Sequence, residues 1–162
     1  MPRYHKLGNI PHKRHTIFKN GGNKIHYEQL FGTMGFEGMS SLLYHIHPPT
    51  EVKEILNKTD VSPKIAVNNN MQMRGFKGFE IDKKSDFLKS RVPVLTNPDV
   101  TLHLANPAEN NTDFFYKNVD ADEVVFIHKG EGVLKTPLGK IEFGSGDYLV
   151  IPRGMIYKMD FK

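Results

Sequence analysis

Short runs of alternating apolar and polar residues fill the chain from Val100 onward, each bounded by glycine, proline, asparagine or aspartate. Side chains two apart on a strand point to the same face, so runs of this kind predict half-buried strands. They read "VTLHLA", "DFFYKN", "EVVFIHKG", "GVLKTP", "GKIEFG" and "DYLVIPRG". Strands this short and this evenly spaced predict an all-β Greek-key sandwich or barrel, whose sheets bury alternate residues.

Earlier in the chain, "KIHYEQL" (24–30) alternates with Ile25, Tyr27 and Gln29 on one side. The glycine-rich "GTMGFEGMS" predicts a turn into a second strand, "SLLYHIH" (41–47), paired with the first. "TEVKEILNKTD" (50–60) sets Val52, Ile55 and Leu56 at the spacing of one or two helical turns, entered through Pro48, Pro49 and Thr50. Residues 68–100 read as connection, with one strand at 78–81. Pro2, Gly8, Pro11, Gly21 and Gly22 interrupt any period in residues 1–23, which are expected to form an extended arm. A single β-sandwich domain over 24–162 should follow, cut short at its carboxy-terminal end.

Composition narrows the chemistry. A chain of 162 residues has length for one substantial core. It contains no cysteine, which excludes disulfides, thiolate metal sites and thiol nucleophiles, so any metal must take histidine or carboxylate ligands. The amino terminus lacks the apolar centre of a signal peptide, and the longest apolar runs, such as Val124–Ile127, fall far short of a bilayer span. A soluble, cytoplasmic protein is expected. The net charge of +4 gathers partly at Arg3, Lys6, Lys13 and Arg14. Elsewhere basic residues mix with acidic ones, and no nucleic-acid motif is present, so the arm reads as solvated and neither nucleic acid nor membrane is expected as a partner. His5, His12 and His15 lie in the same arm at spacings that fit no compact ligand set.

The stretch 116–159, "YKNVDADEVVFIHKGEGVLKTPLGKIEFGSGDYLVIPRGMIYKM", resembles the two motifs of the cupin superfamily. Glu123, the strand "VVFI", Gly130 and Gly132 match the frame of the first motif. In metal-binding cupins two histidines one residue apart precede that glutamate, both reaching one metal because strand residues i and i+2 share a face. Tyr116 and Asn118 stand at those positions here. The second motif, Pro-x-Gly-x-x-His, is present as Pro152, Arg153, Gly154, Met155, Ile156 and Tyr157, with a phenol where the last imidazole belongs. Glu123 with an amide and two phenols is a poor donor set for a transition metal. His128, five residues beyond Glu123, reads as a polar strand end, and Gly146 with Asp147 as a tight turn.

A second histidine pair is a competing candidate. "HIHPPTE" sets His45 and His47 two apart with Glu51 four residues on, a spacing used by mononuclear iron enzymes. Pro48 and Pro49 end the strand between the histidines and the carboxylate, which favours a structural or intersubunit role over a metal site. A metalloenzyme built on His45, His47 and Glu51 stays open as an alternative.

Taken together, "YHKLGNIPHKRHTIF", "YEQLFGTMGFEGMSSLLYHIHPPT" and "FFYKNVDADEVVFIHKGEGVLKTPLGKIEFGSGDYLVIPRGMIYKMDF" resemble bacterial homogentisate 1,2-dioxygenase over nearly the whole chain. The resemblance implies a cupin-like jelly-roll β-sandwich. It also implies membership of an Fe(II)-dependent, ring-cleaving enzyme of tyrosine and phenylalanine catabolism, converting homogentisate and O2 to maleylacetoacetate. A hexamer-like homo-oligomer is implied as well. In the family two histidines and a glutamate of the carboxy-terminal half hold the iron, so no catalytic, cofactor-binding or metal residue carries over to this chain. The chain alone is expected to be inactive and to act structurally, as the amino-terminal part of such an enzyme. The alternative is a stand-alone small cupin that binds a ligand without metal.

Overall fold

The computed structural model describes residues 17–19, 21–65, 72–111 and 113–162. The expected arm therefore lies largely outside the described residues, and His5, His12 and His15 with it. The chain divides into two compact units, 1–59 and 60–162. The fold is all-β, as the alternation predicts, and the one helical element among the described residues is a single 3-10 turn, Gly78–Glu80.

In the first unit β1 (Tyr27–Met34) pairs antiparallel with β2 (Glu37–His45), from Tyr27 opposite His45 to Met34 opposite Glu37. The expected pairing forms. The strands run further than the alternation marked and leave only Gly35 and Phe36 as the turn. Upstream, Lys19 bridges Ile25 and the Phe18 ring meets that of Tyr44 at 4.4 Å. The helical turns expected over 50–60 do not form. Residues 51–65 have no regular structure, and Val52, Ile55 and Leu56 are exposed. An eleven-residue stretch is too short to hold a helix unless its apolar side packs on something.

The second unit carries the sandwich. Its strands are β3 (Val92–Thr96), β4 (Thr101–Leu104), β5 (Tyr116–Lys117), β6 (Glu123–Phe126), β7 (Gly132–Thr136), β8 (Gly139–Phe143), β9 (Tyr148–Ile151) and β10 (Ile156–Phe161). One sheet has the order β5-β10-β7-β8, while β6 pairs with β9 and β3 with β4, all antiparallel. The chain thus leaves the four-stranded sheet for β6, returns for β7 and β8, leaves again for β9 and returns as β10. That alternation between layers makes the cupin-like sandwich. Residues 78–81, expected as a strand, hold the 3-10 turn instead, and β3 and β10 arise where no strand was expected.

Leu134, Phe143, Tyr157 and Met159 of the sheet are buried together with Leu149 and Ile151 of β9 and with Ile127 just past β6. On β9 the alternation is complete: Leu149 and Ile151 are buried while Tyr148 and Val150 are exposed. Gly132 is required where three strands crowd. A Cβ there would strike the Asp160 carbonyl of β10 and lie 2.6 Å from Cζ of Phe143 on β8. Gly154 takes a φ of 81°, which side chains rarely tolerate, at the turn between β9 and β10.

Candidate functional site

Four side chains from separate elements converge in the second unit. Tyr116 opens β5 and stands directly opposite Tyr157 on β10, their rings edge to face at 5.5 Å. Glu123 opens β6 in the other layer. Arg91 arrives from the turn immediately before β3.

The contacts close into a triangle. Arg91 Nη1 donates to Glu123 Oε1 at 2.5 Å and Nη2 donates to the Tyr157 hydroxyl at 2.8 Å. The same hydroxyl donates to Glu123 Oε2 at 2.7 Å. The Tyr157 residue is 1% exposed, and the Glu123 and Arg91 side chains 11% and 19%. The guanidinium also lies 4.5 Å from the centre of the Phe87 ring and 5.6 Å from that of Tyr116, within cation–π range.

Local sequence explains how Arg91 is presented. The Asp86 carboxylate accepts the backbone N–H groups of Leu88 and Lys89 at 2.9 and 3.1 Å, and its carbonyl accepts Ser90 N–H at 2.9 Å. Ser90 Oγ returns to the Phe87 carbonyl at 3.2 Å. Aspartate and serine commonly organise tight turns in this way. With Asp86 and Ser90 both buried, the turn is anchored on the sandwich.

The electrostatics follow from burial and proximity. Burial is the largest influence on the Tyr157 phenol and raises its pKa well above the ordinary value; the charge and hydrogen bond of Glu123 add to this against the opposing pull of Arg91. Burial pulls the Arg91 guanidinium down, yet Tyr157 and Glu123 outweigh it and hold the group above its ordinary value. Burial, then the Glu123 charge, also raises Tyr116. His103 on β4 is lowered by burial and then by the nearby Arg91 charge.

These residues do not fit a transition metal. Both oxygens of Glu123 are engaged, a fixed cation already sits against them, and the Tyr157 phenol keeps its proton. Asn118 turns to other work: its Oδ1 accepts the N–H groups of Asp120 and Ala121 at 3.0 and 3.1 Å, and its carbonyl accepts Gly154 N–H at 2.6 Å. That last bond ties the two cupin-like motifs together. So does the bond from Arg153 N–H to Asp122 Oδ1, at 2.8 Å.

The other sequence candidates belong to other segments of the chain. In the first unit, His45 Nε2 meets Gln29 Oε1 at 2.8 Å across the hairpin, His47 is exposed in the bend after β2, and Glu51 is exposed in the irregular segment. Among the described residues no three histidine, aspartate or glutamate side chains gather at metal-binding distance. His128 lies just beyond β6 and stacks on Phe79 at 4.1 Å. Asp147 caps its turn by accepting Gly144 N–H at 2.7 Å. Arg91 is the residue that sequence reasoning missed. The one available signal was Glu123 in a ligand frame without its imidazoles, which does not say what partners the carboxylate or where that partner comes from.

A profile of the family described as "Homogentisate 1,2-dioxygenase N-terminal" matches residues 14–162. The chain belongs to this family. It is also 38% identical, over 165 aligned positions and its whole length, to the protein of Saccharolobus solfataricus named "Putative dioxygenase SSO1533". It covers 42% of that relative, and so spans about two fifths of its length. The match takes in both units, the hairpin as well as the sandwich. No helix among the described residues is long and apolar enough to cross a membrane.

Proposed function

We propose that this chain is the amino-terminal part of a homogentisate 1,2-dioxygenase, a cytoplasmic, homo-oligomeric enzyme of tyrosine and phenylalanine catabolism. The whole enzyme opens the ring of homogentisate with O2 to give maleylacetoacetate, using Fe(II) held by residues outside these 162. The sandwich contributes fold and assembly to it. The observation that carries this reading is the match of residues 14–162 to the homogentisate dioxygenase N-terminal family, and the Arg91–Glu123–Tyr157 triangle, which engages two of the cupin-like ligand positions, Glu123 and Tyr157, agrees with it. A carboxylate held by a guanidinium and a protonated phenol is organised to stay in place. It offers no open donor set to a metal.

Oxygen uptake tests the proposal. The chain is assayed with homogentisate and ferrous iron, alone and co-expressed with the carboxy-terminal portion of a family member. Uptake at background for the chain alone, and ring cleavage with stoichiometric iron in the co-expressed assembly, is the expected result. Enzyme-like uptake by the chain alone would overturn it.

A further inference from the structure

We infer that the interior of the sandwich is a guanidinium-binding site, formed by Glu123, Tyr157, Tyr116 and Phe87, which the chain fills with its own Arg91. A delocalised guanidinium cation is recognised by a carboxylate, by a further oxygen acceptor and by aromatic rings close to its carbon. All three elements are present. Glu123 Oε1 and the Tyr157 hydroxyl take Nη1 and Nη2 at 2.5 and 2.8 Å, and the Phe87 and Tyr116 rings lie 4.5 and 5.6 Å from the guanidinium carbon. The Tyr157 proton goes to Glu123 Oε2, so the hydroxyl is oriented to present its oxygen to the cation.

The site joins parts of the chain that no backbone ladder joins. Glu123 belongs to the β6-β9 ladder, Tyr157 and Tyr116 to the four-stranded sheet, and Arg91 to the strap leading into β3. The strap is secured at its start, where the Ser85 carbonyl accepts the N–H groups of Ala108 and Glu109 at 2.9 and 3.2 Å. At its end Arg91 is the bolt. A lysine at that position would bring charge to Glu123 but could not span carboxylate and phenol with two fixed donors. The site is thus one for an organic cation, liganded from within, and its occupancy closes the sandwich.

Two measurements test this. In the native chain, nitrogen–proton spectra of the arginine side chains should show Arg91 with separately resolved, slowly exchanging Nη protons, unlike exposed arginines. Averaged, rapidly exchanging Arg91 signals would overturn the inference, and this arm needs no variant to fold. In Arg91→Ala the melting temperature should fall by roughly 10 °C, the scale for leaving a buried charge unpaired in a chain of this size. Millimolar methylguanidinium should recover a large part of that fall, whereas equal methylammonium or potassium should not. The recovery should vanish in Arg91→Ala/Glu123→Gln. No recovery in the single variant, or equal recovery in the double one, would sink the proposal.

Discussion

Tyr157 on β10 donates its hydroxyl to Glu123 on β6 at 2.7 Å, so one hydrogen bond joins the two layers of the sandwich at the largest fully buried side chain among the described residues. Tyr157→Phe keeps the ring and its edge contact with Tyr116 but removes the oxygen. Glu123 Oε2 and Arg91 Nη2 each lose a partner. Hydrogen bonds to charged groups contribute about 1.5–3 kcal/mol, so the variant should lose about that much stability. Urea unfolding should show a lower midpoint with unchanged slope, and an unchanged midpoint would contradict the role given to this hydroxyl.

Imidazoles placed at positions 116 and 157 should make only a weak metal site while Arg91 remains. In Tyr116→His/Tyr157→His the new nitrogens join Glu123, but the guanidinium still holds the carboxylate and repels a second cation. Adding Arg91→Ala should strengthen nickel binding by roughly tenfold or more, as removal of a like charge in a half-buried site predicts. Calorimetric titration of the two folded variants decides it. Equal affinities would mean that Arg91 does not control access to Glu123.

Gly132 should tolerate no side chain. The rings of Phe143 and Phe161, on the strands either side of it, meet edge to face at 5.7 Å, and the Asp160 backbone blocks the remaining space. Gly132→Ala should destabilise by about 1–3 kcal/mol, the range for overpacking a fitted core. Gly144→Ala is the control, since its Cβ would meet nothing within 4 Å. Thermal melts should separate the two, and similar melting points would refute the crowding argument.

Asp86 should contribute an acid-sensitive share of stability. Burial raises its pKa, but the N–H groups of Lys89 and Leu88 and the ammonium of Lys89, 3.2 Å away, outweigh burial and hold it below 3.8. A carboxylate lowered in the folded state stabilises fully above its unfolded value, and that contribution disappears as pH falls through the folded value. Asp86→Asn should therefore be less stable than the native chain by about 1 kcal/mol near neutral pH, as for loss of a capping carboxylate. The gap should close below the ordinary carboxylate range. A gap independent of pH would show that shape, not charge, holds the turn.

Alternation along the chain was enough to determine the all-β class, the β1–β2 pairing and strands β4 and β6 to β9, because period and turn residues are local properties. The frame of Glu123 and Tyr157 was legible for the same reason, each standing at a fixed offset from a glycine turn. Residues 50–60 carried helical spacing and formed no helix, since only a packing partner makes so short a segment helical. β3 was hidden because Pro93 interrupts its pattern, and its pairing with β4 was decided by the chain around it. Arg91 lies 32 residues from Glu123 and 66 from Tyr157. Nothing within a few residues of it marks a buried cation rather than a solvated one. Only the tertiary structure brings strap, ladder and sheet to one point, and there desolvation makes the pairing of their charges obligatory.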